Sequence, residues 1–309
     1  MYEQRFGLNR RPFPTSPDDA FYYPATGHES ALASLAKAIH EEEGFALLTG
    51  EPGIGKTLLG QCLCQRVGQA FGSPGKPAAS PAVAYLPGGH YADRTALFQA
   101  ILFDLQLPYE DGGEQVLRLR LTEHLLKNCA NNQHTIVILD EAHHLSVDLL
   151  EELRLLGNLE AGGKKAVQFV LLAQETLTAK LGCPELASLK QRLLTRCHLA
   201  PLGVDEAVDY LVHHLRQAGG NPEKIIEEAG LEVLARGTKG VPRLLNQAGQ
   251  QALQLADGAD MSIVDSEAAL EALASIGQSA ESDESESTEE TSAGYEIGPR
   301  LVEPMKRTA

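Results

Sequence analysis

Apolar residues along this chain follow two rhythms. Over roughly the first two hundred positions, short unbroken apolar runs alternate with helical patterns. Phe45-Ala46-Leu47-Leu48, Ala82-Val83-Ala84-Tyr85-Leu86, Thr135-Ile136-Val137-Ile138-Leu139 and Gln168 to Leu172 read as buried strands, with a last one around Cys197 to Leu199. Between them the apolar positions recur every three or four residues. This holds for Ala31, Leu32, Leu35, Ala38 and Ile39 after His28, for the segment after Lys56, for Thr95 to Leu105, Glu114 to Cys129, Val147 to Leu156 and Leu186 to Leu194. Continuous apolar strands alternating with helices predict a parallel sheet covered by helices on both faces.

Beyond Pro201 the pattern is helical throughout: Asp205 to Ala218, Ile225 to Ala235, Val241 to Ala256 and Ser266 to Ser275. This predicts a second, all-helical domain of about 70 residues. The chain start, from Phe6-Gly7-Leu8 through Pro12-Phe13-Pro14 to Phe21-Tyr22-Tyr23-Pro24, has aromatics and prolines without periodicity and reads as an ordered arm packed on the first domain. Gly72 to Pro81 is a loop of low information, and Gln278 to Ser292 is too polar to offset its ordering entropy, so it reads as a disordered acidic tail. The expected organisation is an arm over 1–27, an α/β core over 28–202, a helical domain over 203–275 and a tail over 276–309.

Composition narrows the setting. No run of 18 or more apolar residues is present, and the start Met1-Tyr2-Glu3-Gln4-Arg5-Phe6 lacks the basic and apolar regions of a secretory signal, so the expectation is a cytoplasmic protein without a transmembrane segment. The five cysteines, Cys62, Cys64, Cys129, Cys183 and Cys197, show no paired spacing and read as free thiols. Net charge is −16, of which eight acidic and three basic residues from Ile276 onward account for part. An acidic body lacks the field of a dedicated nucleic-acid binder, which disfavours nucleic acid without excluding a local basic patch. Protein partners are the stronger expectation.

The chemistry begins where the first strand ends. Gly50-Glu51-Pro52-Gly53-Ile54-Gly55-Lys56-Thr57 joins an apolar strand to a helix that continues with Leu58, the context of a phosphate-binding loop. Its glycines let backbone N–H groups face a polyphosphate, and the helix N-terminus adds partial positive charge. Lys56 supplies a point charge and the Thr57 hydroxyl a ligand for Mg²⁺. Asp140, at the carboxyl end of the most β-branched strand, is expected opposite Thr57 on the same metal, and Glu141 is the candidate base for the attacking water. ATP and Mg²⁺ are therefore the expected cofactors, on a P-loop α/β sheet. Asp140-Glu141-Ala142-His143 also spells a helicase tetrapeptide, yet a second sheet domain of the kind such helicases need is missing. Gln174, past the Gln168 strand, is placed to meet the γ-phosphate or its water. Arg192 and Arg196 precede the last strand, where a guanidinium supplied across a subunit boundary could neutralise transition-state charge. Arg243, behind Pro242 at a helix start, could reach over the phosphates. The pairs His143-His144 and His213-His214 read as helix ends or surface.

With these residues in place the chain resembles the AAA+ ATPases of the general secretion pathway protein A type over Met1 to Ser275. The resemblance rests on Tyr2, Phe6-Gly7-Leu8, Pro12-Phe13 and Pro17-Asp18, on Gly44 to Thr57, and on Leu149 to Leu156 with Asn158-Leu159-Glu160. It continues through Leu199-Ala200-Pro201-Leu202 and Gly240-Val241-Pro242-Arg243 with Asn246. It implies that Gln174 senses nucleotide from the fourth strand, that Arg192 or Arg196 is the finger and Arg243 the second sensor, and that Tyr22-Tyr23-Pro24 and His28 lie near adenine. It also implies a homo-oligomer. Two departures stand out: Leu86-Pro87-Gly88-Gly89 replaces the Asn-Pro frequent after the second strand, and the larger members' membrane and peptidoglycan-binding segments have no counterpart here.

The favoured expectation is an oligomeric ATPase that assembles or remodels a secretion, pilus or envelope-associated protein complex. Alternatives are a DNA-binding transposition regulator similar to the TniB type, and an ATP-responsive scaffold with negligible turnover.

Overall fold

The computed structural model describes residues 2–70 and 81–289; the expected loop at 72–80 and the last part of the expected tail, 290–309, lie outside the described residues. A short helix α1 (Tyr2–Arg5) opens the arm, followed by α2 (Thr26–His40), β1 (Phe45–Gly50), α3 (Lys56–Ala70), β2 (Ala82–Leu86), α4 (Arg94–Asp104), α5 (Glu114–Ala130) and β3 (Thr135–Leu139). Then come α6 (Val147–Leu156), a hairpin of β4 (Glu160–Ala161) and β5 (Lys164–Lys165), β6 (Gln168–Ala173), α7 (Thr176–Lys180), α8 (Ala187–Arg192) and β7 (Leu193–Leu199). The helical domain is α9 (Val204–Gln217), α10 (Glu228–Gly237), α11 (Pro242–Gly258) and α12 (Ser266–Glu289).

Five strands form one wholly parallel sheet in the order β2-β3-β6-β1-β7. Because side chains alternate along a strand, each strand feeds two cores. Phe45, Leu47, Val137, Leu139, Phe169 and Leu171 pack under α4 to α8 on one face. Ala46, Leu48, Ile136, Ile138, Val170 and Leu172 pack under α2 and α3 on the other. The expected parallel sheet with helices on both faces is what forms. The strand β1 is flanked by β6 and β7, so its carboxyl end, the glycine loop, opens between neighbours and points away from the sheet.

Three elements differ from the reading of the sequence. Strand β7 begins at Leu193 rather than Cys197, since burial alternates along it and its polar positions conceal the pattern. The β4–β5 hairpin was not expected; its turn, Gly162-Gly163, has φ of +61° and +78°, the doubly left-handed geometry of a two-residue hairpin. Helix α12 continues past Ser275 to Glu289, into the stretch expected to be disordered. Extending an anchored helix needs no new nucleus, and Ala and Glu favour it.

The arm also packs elsewhere than expected. Tyr2, Phe6, Leu8, Phe13 and Phe21 join the core of the helical domain, with Leu211, Leu215, Leu245, Ala248 and Leu253. Phe13 is 2% exposed and lies on Gly249, where an added Cβ would sit 2.6 Å from the ring. Backbone and side-chain bonds pin the arm there: Asn9 N–H donates to Ala218 O at 2.8 Å, Tyr2 OH to Gln250 Oε1 at 2.8 Å, and Asn246 Nδ2 to Pro14 O at 3.2 Å. The physical reason is that four short helices bury too little apolar area alone, and the arm's aromatics complete their core.

Candidate functional site: a phosphate loop under a helical lid

A cleft of about 890 Å³ runs between the glycine loop, the arm and α11, within the range of about 300 to 1,000 Å³ usual for small-molecule sites. Tyr22, Tyr23, His28, Lys56, Thr57, Leu58, Glu141, Tyr210 and Arg243 line it, with Gly53, Ile54 and Gly55 of the loop. Gly53 and Gly55 take φ of +77° and +101°, which side-chain-bearing residues rarely adopt. The loop is braced from behind: His28 Nε2 lies 2.9 Å from Ile54 O, so this nitrogen carries the proton and donates. Lys56 is buried and its ammonium donates to Gly50 O at 3.0 Å and Glu51 O at 2.9 Å. Burial lowers its pKa from the usual lysine value, against the opposing pull of Glu141 and Asp140.

Across the loop, Thr57 Oγ1 donates to Asp140 Oδ2 at 2.6 Å. The same oxygen accepts from Tyr85 OH at 2.9 Å, and the Glu141 N–H donates to Oδ1 at 2.9 Å. Asp140 is 3% exposed and thus fully spoken for. Thr57 and Asp140 form the hard-oxygen pair that suits Mg²⁺ with its retained waters. Tyr85 is the residue the sequence reading passed over as mere strand core. Its pKa is raised by burial first and then by the adjacent Asp140 charge, so it stays a proton donor. The available signal was a lone hydroxyl in an otherwise apolar strand.

Glu141 directly follows Asp140 but has φ of +52° and ψ of +34°. That left-handed turn, costing about 1 kcal/mol or more for a residue with a side chain, re-aims Glu141 away from the Thr57–Asp140 pair and into the cleft. Gly89 makes the turn possible, since an added Cβ would lie 2.2 Å from Glu141 O. Where a polar residue after the second strand might have met Glu141, backbone packs instead. Glu141 Oε2 lies 3.4 Å from His143 Nε2, and Glu141, His143 and His144 bring ligating atoms within 4.8 Å of one another. The His143 ring is held neutral, its pKa lowered chiefly by burial and then by His144.

The remaining expected residues separate. Gln174 follows β6, which runs between β1 and β3, so it emerges between the glycine loop and Asp140; it enters the site through its backbone N–H, which donates to His143 Nδ1 at 3.4 Å. Arg243 lines the cleft, and its N–H donates to Gly53 O at 3.1 Å, so the first turn of α11 rests on the loop. Arg192 and Arg196 lie outside this cleft. The register pairs Phe45 with Leu193 and Gly50 with Leu199, which sets Arg192 at the opposite edge of the sheet, roughly 17 Å from the loop at ~3.3 Å per residue. Arg192 is therefore out of reach of its own chain's glycine loop. Arg196 also donates to Leu193 O at 3.0 Å and Lys190 O at 2.6 Å, closing the end of α8. Arg192 has no hydrogen bond or ion pair among the described residues. The free thiols expected are found; burial pushes Cys62 and Cys64 up to about 11, so both are inert. Among the described residues no helix is long and apolar enough to cross a membrane.

A family profile described as an AAA domain matches residues 39–181. General secretion pathway protein A of Aeromonas hydrophila is 38% identical over 254 residues, which is 82% of this chain and 44% of that protein. The chain thus spans less than half the length of this curated relative. Among solved structures, the Aeropyrum pernix ORC2 protein in its ADPNP-ADP complexes superposes with a TM-score of 0.66 at 19% identity, covering 87% of this chain and 72% of that one. Cdc6p from Pyrobaculum aerophilum gives 0.62 at 20% identity over 80% and 68%, and the Thermotoga maritima RuvB Holliday junction branch migration motor 0.54 at 16% over 85% and 72%. At these identities the solved structures speak for the fold alone, a parallel P-loop sheet followed by helices. Taken with the strand order, the loop under α11 and the match along most of its length, the chain belongs to the AAA+ ATPase family, and within it to the general secretion pathway protein A type.

Proposed function

We propose that this chain binds MgATP in the cleft and hydrolyses it as an oligomer, using the turnover to assemble or remodel a secretion, pilus or envelope-associated protein complex. The observation that carries the hydrolytic part is the division of labour at the end of β3. Asp140 is fixed with Thr57 by a 2.6 Å hydrogen bond, while the left-handed backbone at the next residue sends Glu141 to a different place. Two adjacent carboxylates thereby take two roles.

Thr57 and Asp140 would hold Mg²⁺, which when bound neutralises charge on the terminal phosphates. The loop's N–H groups and the Lys56 ammonium orient the polyphosphate. Glu141 accepts a proton from the water that attacks the γ-phosphorus as the bond to the β-γ bridging oxygen breaks, and the leaving oxygen departs on ADP. Arg243, on the first turn of α11, ties the position of the helical domain to what occupies the loop. The charge that develops on the transferred phosphoryl group is met by Arg192 of a neighbouring subunit; of the two candidates it is the one not bound to carbonyls of its own chain. The link to a secretion or envelope complex rests on the relative's name and is the reading to be tested against partners.

Hydrolysis per subunit should rise with protein concentration and fall by about 100-fold or more in Glu141→Gln, with ATP binding retained. A specific rate unchanged on dilution and in Arg192→Ala would overturn the shared site. Glu141→Gln in ATP should retain the partner complex on co-purification, whereas salt-sensitive DNA gel shifts in place of a protein partner would favour the transposition reading.

A further inference from the structure

We propose that His143 is the positioning residue for Glu141: its imidazole bridges the backbone amide that follows β6 and the Glu141 carboxylate, leaving the second carboxylate oxygen to take the proton of the attacking water. This rests on the reading of Glu141 as the base.

The bridge follows from hydrogen-bond chemistry. His143 Nδ1 accepts the Gln174 N–H at 3.4 Å, and a ring nitrogen that accepts a backbone N–H carries no proton. The neutral ring must then carry its proton on Nε2. That nitrogen lies 3.4 Å from Glu141 Oε2, close enough for Nε2–H to donate to the carboxylate after a small turn of the Glu141 side chain. Among the described residues it is the one histidine, lysine or arginine within 4 Å of that carboxylate. The same tautomer argues against reading Glu141, His143 and His144 as a metal site, because His143 aims a proton, not a lone pair, at the shared space.

His143 has a braced backbone and a packed ring. Its side chain is 8% exposed, Lys180 Nζ donates to His143 O and Leu145 O at 2.7 Å each, and the ring lies 4.1 Å from that of His144. His144 is in turn stacked on His90 at 4.1 Å. Gly89 brings backbone up against Glu141 O from the second-strand loop. A displacement of the Gln174 backbone would then reach the Glu141 carboxylate through this one side chain.

The test uses the full chain with MgATP. His143→Phe keeps an aromatic ring, and Lys180's bonds to backbone carbonyls, while deleting both nitrogens. His143→Gln restores an acceptor and a donor about as far apart as the two ring nitrogens. Losing one hydrogen bond to the base should lower kcat about tenfold in His143→Phe, with KM for ATP unchanged, and His143→Gln should recover most of the loss. Nitrogen-15 NMR of the nucleotide-free protein should find the His143 proton on Nε2, with that nitrogen's shift moving in Glu141→Gln. Unchanged kcat in His143→Phe, equal loss in both variants, or a proton on Nδ1 overturns the bridge. A wild-type chain without turnover would instead overturn the hydrolysis reading, and the NMR spectrum would still decide the contact.

Discussion

Asp140 takes three donors, from Thr57, Tyr85 and the Glu141 backbone, and the Tyr85 hydroxyl is the most dispensable to the fold. Removing it in Tyr85→Phe leaves each carboxylate oxygen with one partner and holds Oδ2 less firmly. The Mg²⁺ concentration giving half-maximal hydrolysis should rise several-fold with ATP affinity nearly unchanged, read from a magnesium titration. Lys56→Ala should weaken nucleotide binding by tenfold or more, as measured with a fluorescent nucleotide. That Lys56, Thr57, Asp140 and Glu141 meet at one cleft was legible in the sequence because each pair follows an apolar strand, and a parallel sheet brings such carboxyl ends together. Tyr85 and His143 were not, since their partners are set by the pairing of β2 with β3 and of β3 with β6, contacts that no local pattern encodes.

Between elements, the joint at Gly240 carries much of the geometry. Its φ is +70°, its carbonyl accepts the Leu202 N–H at 3.0 Å, and an added Cβ would lie 1.9 Å from Leu202 O. Neither backbone can yield without moving α11 off the glycine loop. Gly240→Ala should destabilise the chain by at least about 2 kcal/mol, seen as a lower denaturation midpoint. The strands of the sheet were readable as apolar runs, and their ends fell within a residue or two of expectation. Strand β7 was shortened in that reading, since Thr195, Arg196 and His198 interrupt its apolar positions, and the arm was assigned to the wrong neighbour. Periodicity shows that Phe13 and Phe21 will be buried but says nothing of where.

For the molecule as a whole, the arm and the helical domain respond to pH together through His214. Its Nδ1 lies 2.9 Å from Pro12 O, the ring stacks near Phe13 and Phe21, and burial lowers its pKa to about 4. The unfolded chain takes this proton near pH 6.5, whereas the folded chain refuses it until about pH 4. Stability should therefore be unaffected by this group above pH 6.5 and decline from there to pH 4, by roughly 3 kcal/mol in all. Melting curves across that window, compared with His214→Leu, check the sign and size; a wild-type curve as flat as the variant's would refute it.

That same union of arm and helical domain has a consequence in time. Residues 2–25 leave the ribosome long before the helices that bury Phe6, Phe13 and Phe21, which begin at Val204. At about 5 to 20 residues per second, the arm waits on the order of ten to fifty seconds with its aromatics uncovered while the sheet folds behind it. Each newly made molecule thus carries a temporarily sticky arm that the later helices must capture, and a synonymous slowdown of translation before Val204 should lengthen that exposure and lower the soluble yield.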